Sequence, residues 1–369
     1  MKIGVDAKWF YNGPVSGRVF IRQVLSRLLT TYPQHEWHIY LNKKNRNESF
    51  PFTGENITRH YIWSAYNMLS NRFLIPRHAK AHGLDVVLFQ SFCGHQTTFR
   101  QALFVHDILF ESRPEFFSWK EKTYFSFIKS SCRQADHIIT SSQAVKDDLI
   151  HFKYTDNENK IDIAPLGVSE NFKTLFGHDP RKISEVRSRY KLPQRFILFL
   201  GRMNTRKNIA AVLEALPLIR DKEISLVIAG EKDWEQPKLS KLIRAAGTSR
   251  VVLAGAIAEE DVPAVYAMAE LFCFPSFAEG FGLPPLEAMA SGLPVIVSNT
   301  SSLPEVCGDA ALYVDPHHPQ EIAAAVDDLL KNDFLRRQKT DAGIKRASLF
   351  TWERTAGSIM KTLGSLNKK

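Results

Sequence analysis

Short apolar runs, each followed by a segment with helical periodicity, recur from one end of this chain to the other. The first half holds "IGVD" (3–6), "WHIYL" (37–41), "DVVLF" (85–89), "ALFVH" (102–106) and "HIIT" (137–140). The second holds "FILFLG" (196–201), "ISLVIAG" (224–230), "VVLAG" (251–255), "LFCFP" (271–275) and "PVIVS" (294–298). Segments 17–31, 118–133, 142–152, 208–219, 236–246, 260–269 and 319–331 read as the intervening helices. Strands apolar on both faces need helices above and below, so the pattern predicts an α/β protein with mostly parallel sheets. A length of 369 residues exceeds one ordinary core, which predicts two doubly wound domains. The polar stretch 169–193 is the expected junction, dividing a first domain (1–175) from a second (190–350). Ligand is expected in the cleft of such a pair, at the carboxyl ends of the strands.

Charge and cysteine usage narrow the classes. The net charge is +9, with 48 Lys and Arg against 39 acidic residues. That balance suits an anionic partner such as a phosphorylated ligand or a membrane face. Basic segments lie in the first half, "LNKKNRN" (41–47) and "RFLIPRHAKAHG" (72–83). A nucleic-acid-binding protein would interleave aromatics with those cations on one face, and no such cluster is evident. Cys93, Cys132, Cys273 and Cys307 are widely spaced and form no CxxC pair, so buried reduced thiols are expected. No apolar run reaches the roughly 18–20 residues that cross a bilayer. The start "MKIGVDAKWF" enters a strand pattern without a signal-peptide core, so a cytoplasmic protein is expected.

Four constellations could carry chemistry. In "AEGFGLPPLE" (278–287), two prolines open a helix near Pro284 that runs to Gly292. Glu287 is then expected in its first turn, with Glu279 in the loop before Gly280 and Gly282. Glycines that admit close backbone approach, beside a helix N-terminus, suit a sugar and a ribose around a diphosphate. In "GRMNTRKN" (201–208), Arg202, Arg206 and Lys207 precede Asn208, read as a helix N-cap, and would converge on phosphate. In "VHDILF" (105–110), His106 ends a strand and Asp107 caps or orients it. In "NGPVSGRVF" (12–20), Gly13 and Gly17 bracket a loop with a helix from about Arg18. Walker A, GxGxxG, GxSxG and HExxH patterns are missing, as is a DxD triplet to hold a metal against a diphosphate, so metal-independent chemistry is expected.

The ordered set of motifs resembles the retaining glycosyltransferases of the two-Rossmann GT-B fold, family 4. The family's E-x7-E signature appears as Glu279 to Glu287, and its phosphate loop as "GRMNTRKN". The glycine loop, the "HD" pair, "SSQAVKDDL" (141–149) and "PLGV" (165–168) follow the same order. The resemblance implies that Arg202 and Lys207 hold the donor diphosphate and that Glu287 binds ribose hydroxyls. It further implies that Ile257, in "AGAIAEED" (254–261), meets the nucleobase through its backbone. Glu279 with Gly280, Phe281, Gly282 and Leu283 would position the transferred sugar. Gly17 would approach the phosphate or sugar, and His106 the reacting sugar. The loop reads "VSGRVF" where many members carry Gly-x-Gly. The family also sends its last helix, here about 350–369, back to the first domain.

The implied activity is transfer of a hexose, of mannose or glucose type, from a GDP- or UDP-sugar to a glycan or lipid-linked acceptor in surface-polysaccharide synthesis. No cofactor is permanently bound and no metal is expected. The acceptor and the basic first half imply peripheral contact with an anionic membrane face. Without a second carboxylate placed as a nucleophile, front-face substitution with retention is favoured over double displacement. A GT-B nucleotide-sugar epimerase is the competing enzyme class, and it should lack the "RKN" loop paired with "EGFGLPPLE".

Overall fold

A computed structural model describes residues 1–63, 66–230 and 237–367. The chain divides into two compact units, Met1–Gly167 with Thr351–Lys369, and Val168–Phe350. The division after Gly167 falls just ahead of the polar stretch 169–193, and that stretch contains a helix of its own, Pro180–Arg189.

The first unit contains seven strands: β1 (Lys2–Asp6), β2 (Glu36–Asn42), β3 (Ile57–Ile62), β4 (Val86–Gln90), β5 (Arg100–Val105), β6 (His137–Thr140) and β7 (Ile161–Ile163). They form one parallel sheet in the order β3-β2-β1-β4-β5-β6-β7. The second unit contains β8 (Phe196–Leu200), β9 (Ser225–Ala229), β10 (Val251–Gly255), β11 (Leu271–Phe274), β12 (Val295–Ser298) and β13 (Ala311–Val314). Their order, β10-β9-β8-β11-β12-β13, repeats the first. Each order reverses beside the unit's first strand, and such a switch point opens a crevice at the carboxyl ends. The central strands β4, β11 and β12 are buried at every residue, as both-face coverage requires.

Three strands escape the apolar-run reading. All three, β3 ("ITRHYI"), β7 ("IDI") and β13 ("ALYV"), carry exposed positions, and β7 is only three residues long. All three are edge strands, where one side meets solvent and polar residues are tolerated. The segment 118–133 resolves into two helices, Trp119–Phe125 and Phe127–Gln134. The helix expected over 236–246 is described from Pro237; Gln236 lies outside the described residues, as do residues 368 and 369. All four cysteines are buried and unpaired.

The final helix, Trp352–Leu366, lies within the first unit and packs along the helix Val15–Thr31. Thr355 donates from Oγ1 to the Pro165 carbonyl at 2.6 Å, and Thr362 donates to Asp162 at 2.6 Å. Where the chain leaves this unit, Gly167 lies so close to Trp352 that an added Cβ would stand 2.2 Å from its backbone nitrogen.

Candidate functional site

In the second unit, β8 and β11 are paired neighbours, so the loops leaving their carboxyl ends meet. The loop after β8 brings Arg206 and Lys207, and the loop after β11 brings Ser276 and Glu279. Lys207 Nζ lies 2.6 Å from one Glu279 oxygen and Arg206 Nη1 lies 3.2 Å from the other. Ser276 Oγ donates to Glu279 at 2.5 Å. Glu279 and Lys207 are buried, and the ammonium sits 4.8 Å from the Phe274 ring centre. Burial alone would raise the Glu279 pKa. The charges of Lys207 and Arg206, with the Lys207 and Ser276 hydrogen bonds, outweigh it and hold it at about 2.

The Glu279 turn is pinned from β12. Ser301 Oγ accepts from Glu279 N–H at 2.8 Å, and Ser302 Oγ donates to the Glu279 and Phe281 carbonyls at 2.9 and 2.7 Å. Gly282 adopts φ +112°, and a Cβ there would meet Leu303 at 2.9 Å, so glycine is required. The helix Leu283–Ala290 starts immediately after. Glu287 is therefore its fifth residue and not in the first turn, where the helix dipole would favour it. It accepts from Tyr266 Oη at 3.1 Å, yet desolvation, with repulsion from Glu259, pushes its pKa up to about 8. One motif thus holds an anion at Glu279 and a largely protonated acid at Glu287.

Asn208 also departs from expectation. It precedes the helix Ile209–Ala215 in a left-handed conformation (φ 57°), and its side chain caps nothing. Its amide instead donates to the Pro275 and Pro316 carbonyls at 3.1 and 2.7 Å, tying the β8 loop to those after β11 and β13. The cap in this loop is Asn204, which accepts from Lys207 N–H. Arg202 is exposed on the turn after β8. Ile257, half-buried, follows β10 in a loop anchored by buried Asp261, which pairs with Lys182 and Arg189 from the helix Pro180–Arg189. Tyr190 Oη bridges Asp261 and the Ala258 N–H, fixing the backbone beside Ile257.

In the first unit, His106 follows β5 among Trp9, Phe20 and Phe104, with ring centres 5.9, 5.0 and 4.8 Å away. Desolvation lowers its pKa to about 4, so the ring is neutral near pH 7. The Gln90 amide donates to the Asp6 carbonyl at 2.8 Å, which turns its oxygen toward His106 Nε2 at 3.3 Å. His106 Nε2 is then the donor and Nδ1 carries the lone pair. Asp107 accepts from the Leu109 N–H, the local turn role expected of it. Beside His106 lies a buried network: Lys8 pairs with Asp6 at 2.5 Å, and Asn71 donates to Asp6 and to the Phe92 carbonyl at 2.8 Å each. Gly17 and Ser16 are inside the helix Val15–Thr31, not in a loop. A Cβ on Gly17 would lie 2.6 Å from the Trp9 ring, so close packing alone requires glycine there.

The structure therefore unites Lys207, Glu279 and the Gly280–Leu283 turn, with Glu287 on the helix that follows. Arg206, expected on phosphate with Arg202 and Lys207, is found on Glu279, and Ser276, Ser301, Ser302 and Tyr266 complete this arrangement without a motif of their own. Asp6, Lys8, Asn71 and Gln90 are the corresponding omissions in the first unit.

Two parallel-sheet units with these motifs at their carboxyl edges define the GT-B architecture, and the chain belongs to the group 1, family 4 glycosyltransferases. The family described as "Glycosyl transferases group 1" matches residues 181–346, and "Glycosyltransferase Family 4" matches 27–172. O-antigen chain mannosyltransferase B of Escherichia coli is 34% identical over 67% of this chain and 66% of its own length. A serotype-specific mannosyltransferase WbdA of Escherichia coli is 32% identical over 60% of this chain. That match spans 28% of WbdA, so the chain covers under two thirds of these relatives. Sucrose-phosphate synthase from Thermosynechococcus elongatus shares the fold with TM-score 0.77 at 19% identity, covering 99% of both chains. HepE from Anabaena, solved in complex with UDP and glucose, gives TM-score 0.73 at 20% identity, covering 99% of this chain and 100% of HepE.

Proposed function

We propose that this chain is a retaining, metal-independent glycosyltransferase. It moves a hexose of mannose or glucose type from a GDP- or UDP-sugar to a glycan or lipid-linked acceptor in cell-surface polysaccharide synthesis. The observation that carries the reading is the buried Glu279 carboxylate held by Lys207 and Arg206 beside the Gly280–Leu283 turn. The mannosyltransferases among its relatives favour a mannosyl donor, and HepE with UDP and glucose supports a nucleotide-sugar ligand.

In this reading Lys207 and Arg202 hold the donor diphosphate and neutralise the charge that grows on it as the glycosidic bond breaks, the largest expected contribution. Glu279 orients Lys207 and accepts from sugar hydroxyls, and the Gly280–Leu283 backbone borders the sugar. Glu287 binds the ribose diol and the Ile257 backbone meets the base. Gly17, which lets Trp9 pack close, approaches the phosphate or sugar. A carboxylate gripped by two cations and a hydroxyl is a poor nucleophile, which favours front-face substitution at the anomeric carbon, the acceptor oxygen bonding as the diphosphate leaves, over a covalent intermediate on Glu279. His106, neutral, presents its Nδ1 lone pair to the reacting sugar's hydroxyls.

The acceptor and cytoplasmic placement rest on the relatives and on one surface. Trp63, Tyr66 and Phe73, each about 60% exposed, alternate along the segment 63–80 with Arg72, Arg77 and Lys80, an interleaving that the sequence reading overlooks. Aromatics among cations suit the interface of an anionic membrane. Among the described residues no helix is long and apolar enough to cross one. A thermal-shift screen of UDP-, GDP- and ADP-sugars tests the donor site. One class should raise the midpoint by several degrees, and failure of all three would sink the proposal.

A further inference from the structure

Outside the glycosyltransferase motifs, four histidines gather on one face of the first unit. His38 of β2 and His60 of β3 project to the same side of the sheet, and the helix Ile75–Ala81 covers that side with His78 and, at its C-cap, His82. The rings pack in a continuous set: His38 on His60 at 5.0 Å, His60 on His78 at 4.3 Å and His78 on His82 at 4.2 Å. One ring nitrogen from each of His60, His78 and His82 lies within 4.8 Å of the others.

The hydrogen bonds dictate where the protons reside. Glu36 is an anion, its pKa lowered first by the His38 hydrogen bond and also by Lys2, so His38 Nε2 must donate to it across 3.0 Å. His38 Nδ1 is then an acceptor and takes the His60 Nε2 proton at 2.8 Å, leaving the His60 Nδ1 lone pair. His82 Nδ1 donates to the His78 carbonyl at 2.9 Å, leaving the Nε2 lone pair. Two buried polar atoms here make no hydrogen bond: His78 Nδ1 and the hydroxyl of Tyr40, whose ring lies 5.2 Å from His60 and 5.7 Å from His78. Aromatic packing accounts for the stacking but not for those two orphans, each of which costs stability when left unpaired.

We propose that His60, His78 and His82 bind one divalent transition-metal ion, with His38 and Glu36 orienting His60 as an outer carboxylate–histidine pair. Three neutral imidazoles select ions such as Zn2+, Ni2+ or Cu2+ over Mg2+ or Ca2+, which prefer oxygen. The pair His78 and His82, four apart on a helical turn, presents both rings on one side. The ion would fasten edge strand β3 to the helix Ile75–Ala81. The site is separate from the residues assigned to sugar transfer, so it stands or falls independently of that reading.

The test uses the full chain, without a histidine tag and stripped with EDTA, titrated with Zn2+ near pH 7.5 by calorimetry. One equivalent should bind with micromolar affinity or tighter, and saturating Zn2+ should raise the thermal midpoint by about 5 °C. His82→Ala, at an exposed position that should not disturb folding, should weaken binding at least about tenfold, and Glu36→Gln about tenfold through His38. Co2+ in the same site should show a visible ligand-field band that His82→Ala removes. No uptake of Zn2+ at one equivalent, or equal affinity in wild type and His82→Ala, would overturn the proposal.

Discussion

The carboxyl edges of the two sheets make an instructive pair, because the strand order that builds them is the same. In the first unit Asp6 and Lys8 neutralise one another inside a hydrogen-bonded network, and His106 is kept neutral among aromatic rings. In the second, one buried carboxylate faces two cations, leaving excess positive charge beside a glycine turn. Burial acts on both edges: it keeps His106 neutral in the first, while in the second the charges of Lys207 and Arg206 outweigh it at Glu279 and nothing does so at Glu287. The scaffold locates an edge; the residues at its loop tips decide whether it meets a phosphate or a neutral hydroxyl.

Substitutions can break this contrast. The largest effect is expected for Glu279→Gln, which strands two cations in a buried setting and should cost about 3 kcal/mol in urea unfolding. The folded carboxylate titrates near 2 and the unfolded one near 4.5. Its contribution is therefore present above pH 4.5 and is lost as pH falls toward 2. In the variant that acid-side loss should flatten; an unchanged pH profile would refute the charge assignment. In the first unit, His106→Ala should lower kcat about 100-fold, equivalent to about 2.7 kcal/mol, with donor KM within about threefold. A KM effect as large as the kcat effect would put His106 in ground-state binding.

Smaller effects sharpen the comparison. Gly17→Ala would ordinarily gain helix propensity, but the Trp9 ring stands in the way. A net loss of about 1–2 kcal/mol is expected, and a gain would show that Trp9 moves freely. Glu287 behaves in the opposite sense to Glu279. Its folded form keeps a proton up to about 8 while the unfolded form releases it near 4.5, so stability falls as pH rises between those values. Glu287→Gln should therefore stabilise the protein by about 1 kcal/mol at pH 8.5, leave it unchanged at pH 4, and weaken donor binding. Equal thermal midpoints at pH 8.5 would remove the case for a protonated Glu287.

Much of this was legible in local spacing. The buried strands, the "GRMNTRKN" loop and "EGFGLPPLE" announce themselves because their constraints act within a few residues. Arg206 was visible as a cation, but its partner lies 73 positions away, and Ser276, Tyr266 and Ser302 have types too common to stand out. Asn208 shows a subtler limit: the residue type is right for a cap, but its left-handed backbone turns the amide toward two distant carbonyls. Glu287 missed the first turn by the distance between a proline pair and the actual helix start at Leu283. The polar network around Asp6 is hidden because Asn71 and Gln90 join it only after β1 and β4 pair.

The second unit is, in chain order, an insertion: Gly167 leaves the first unit and Thr351 re-enters it, with Val168 N–H bonded to the Phe350 carbonyl at 3.0 Å to close the loop's base. During synthesis the helix Trp352–Leu366 emerges only after the whole of Val168–Phe350. The inserted unit can complete its sheet on the ribosome, while the first waits with the groove along Val15–Thr31 uncovered. A nascent chain held where Phe350 has cleared the ribosome and Trp352–Leu366 has not should thus present a protease-resistant second half and a first half that chaperones still hold.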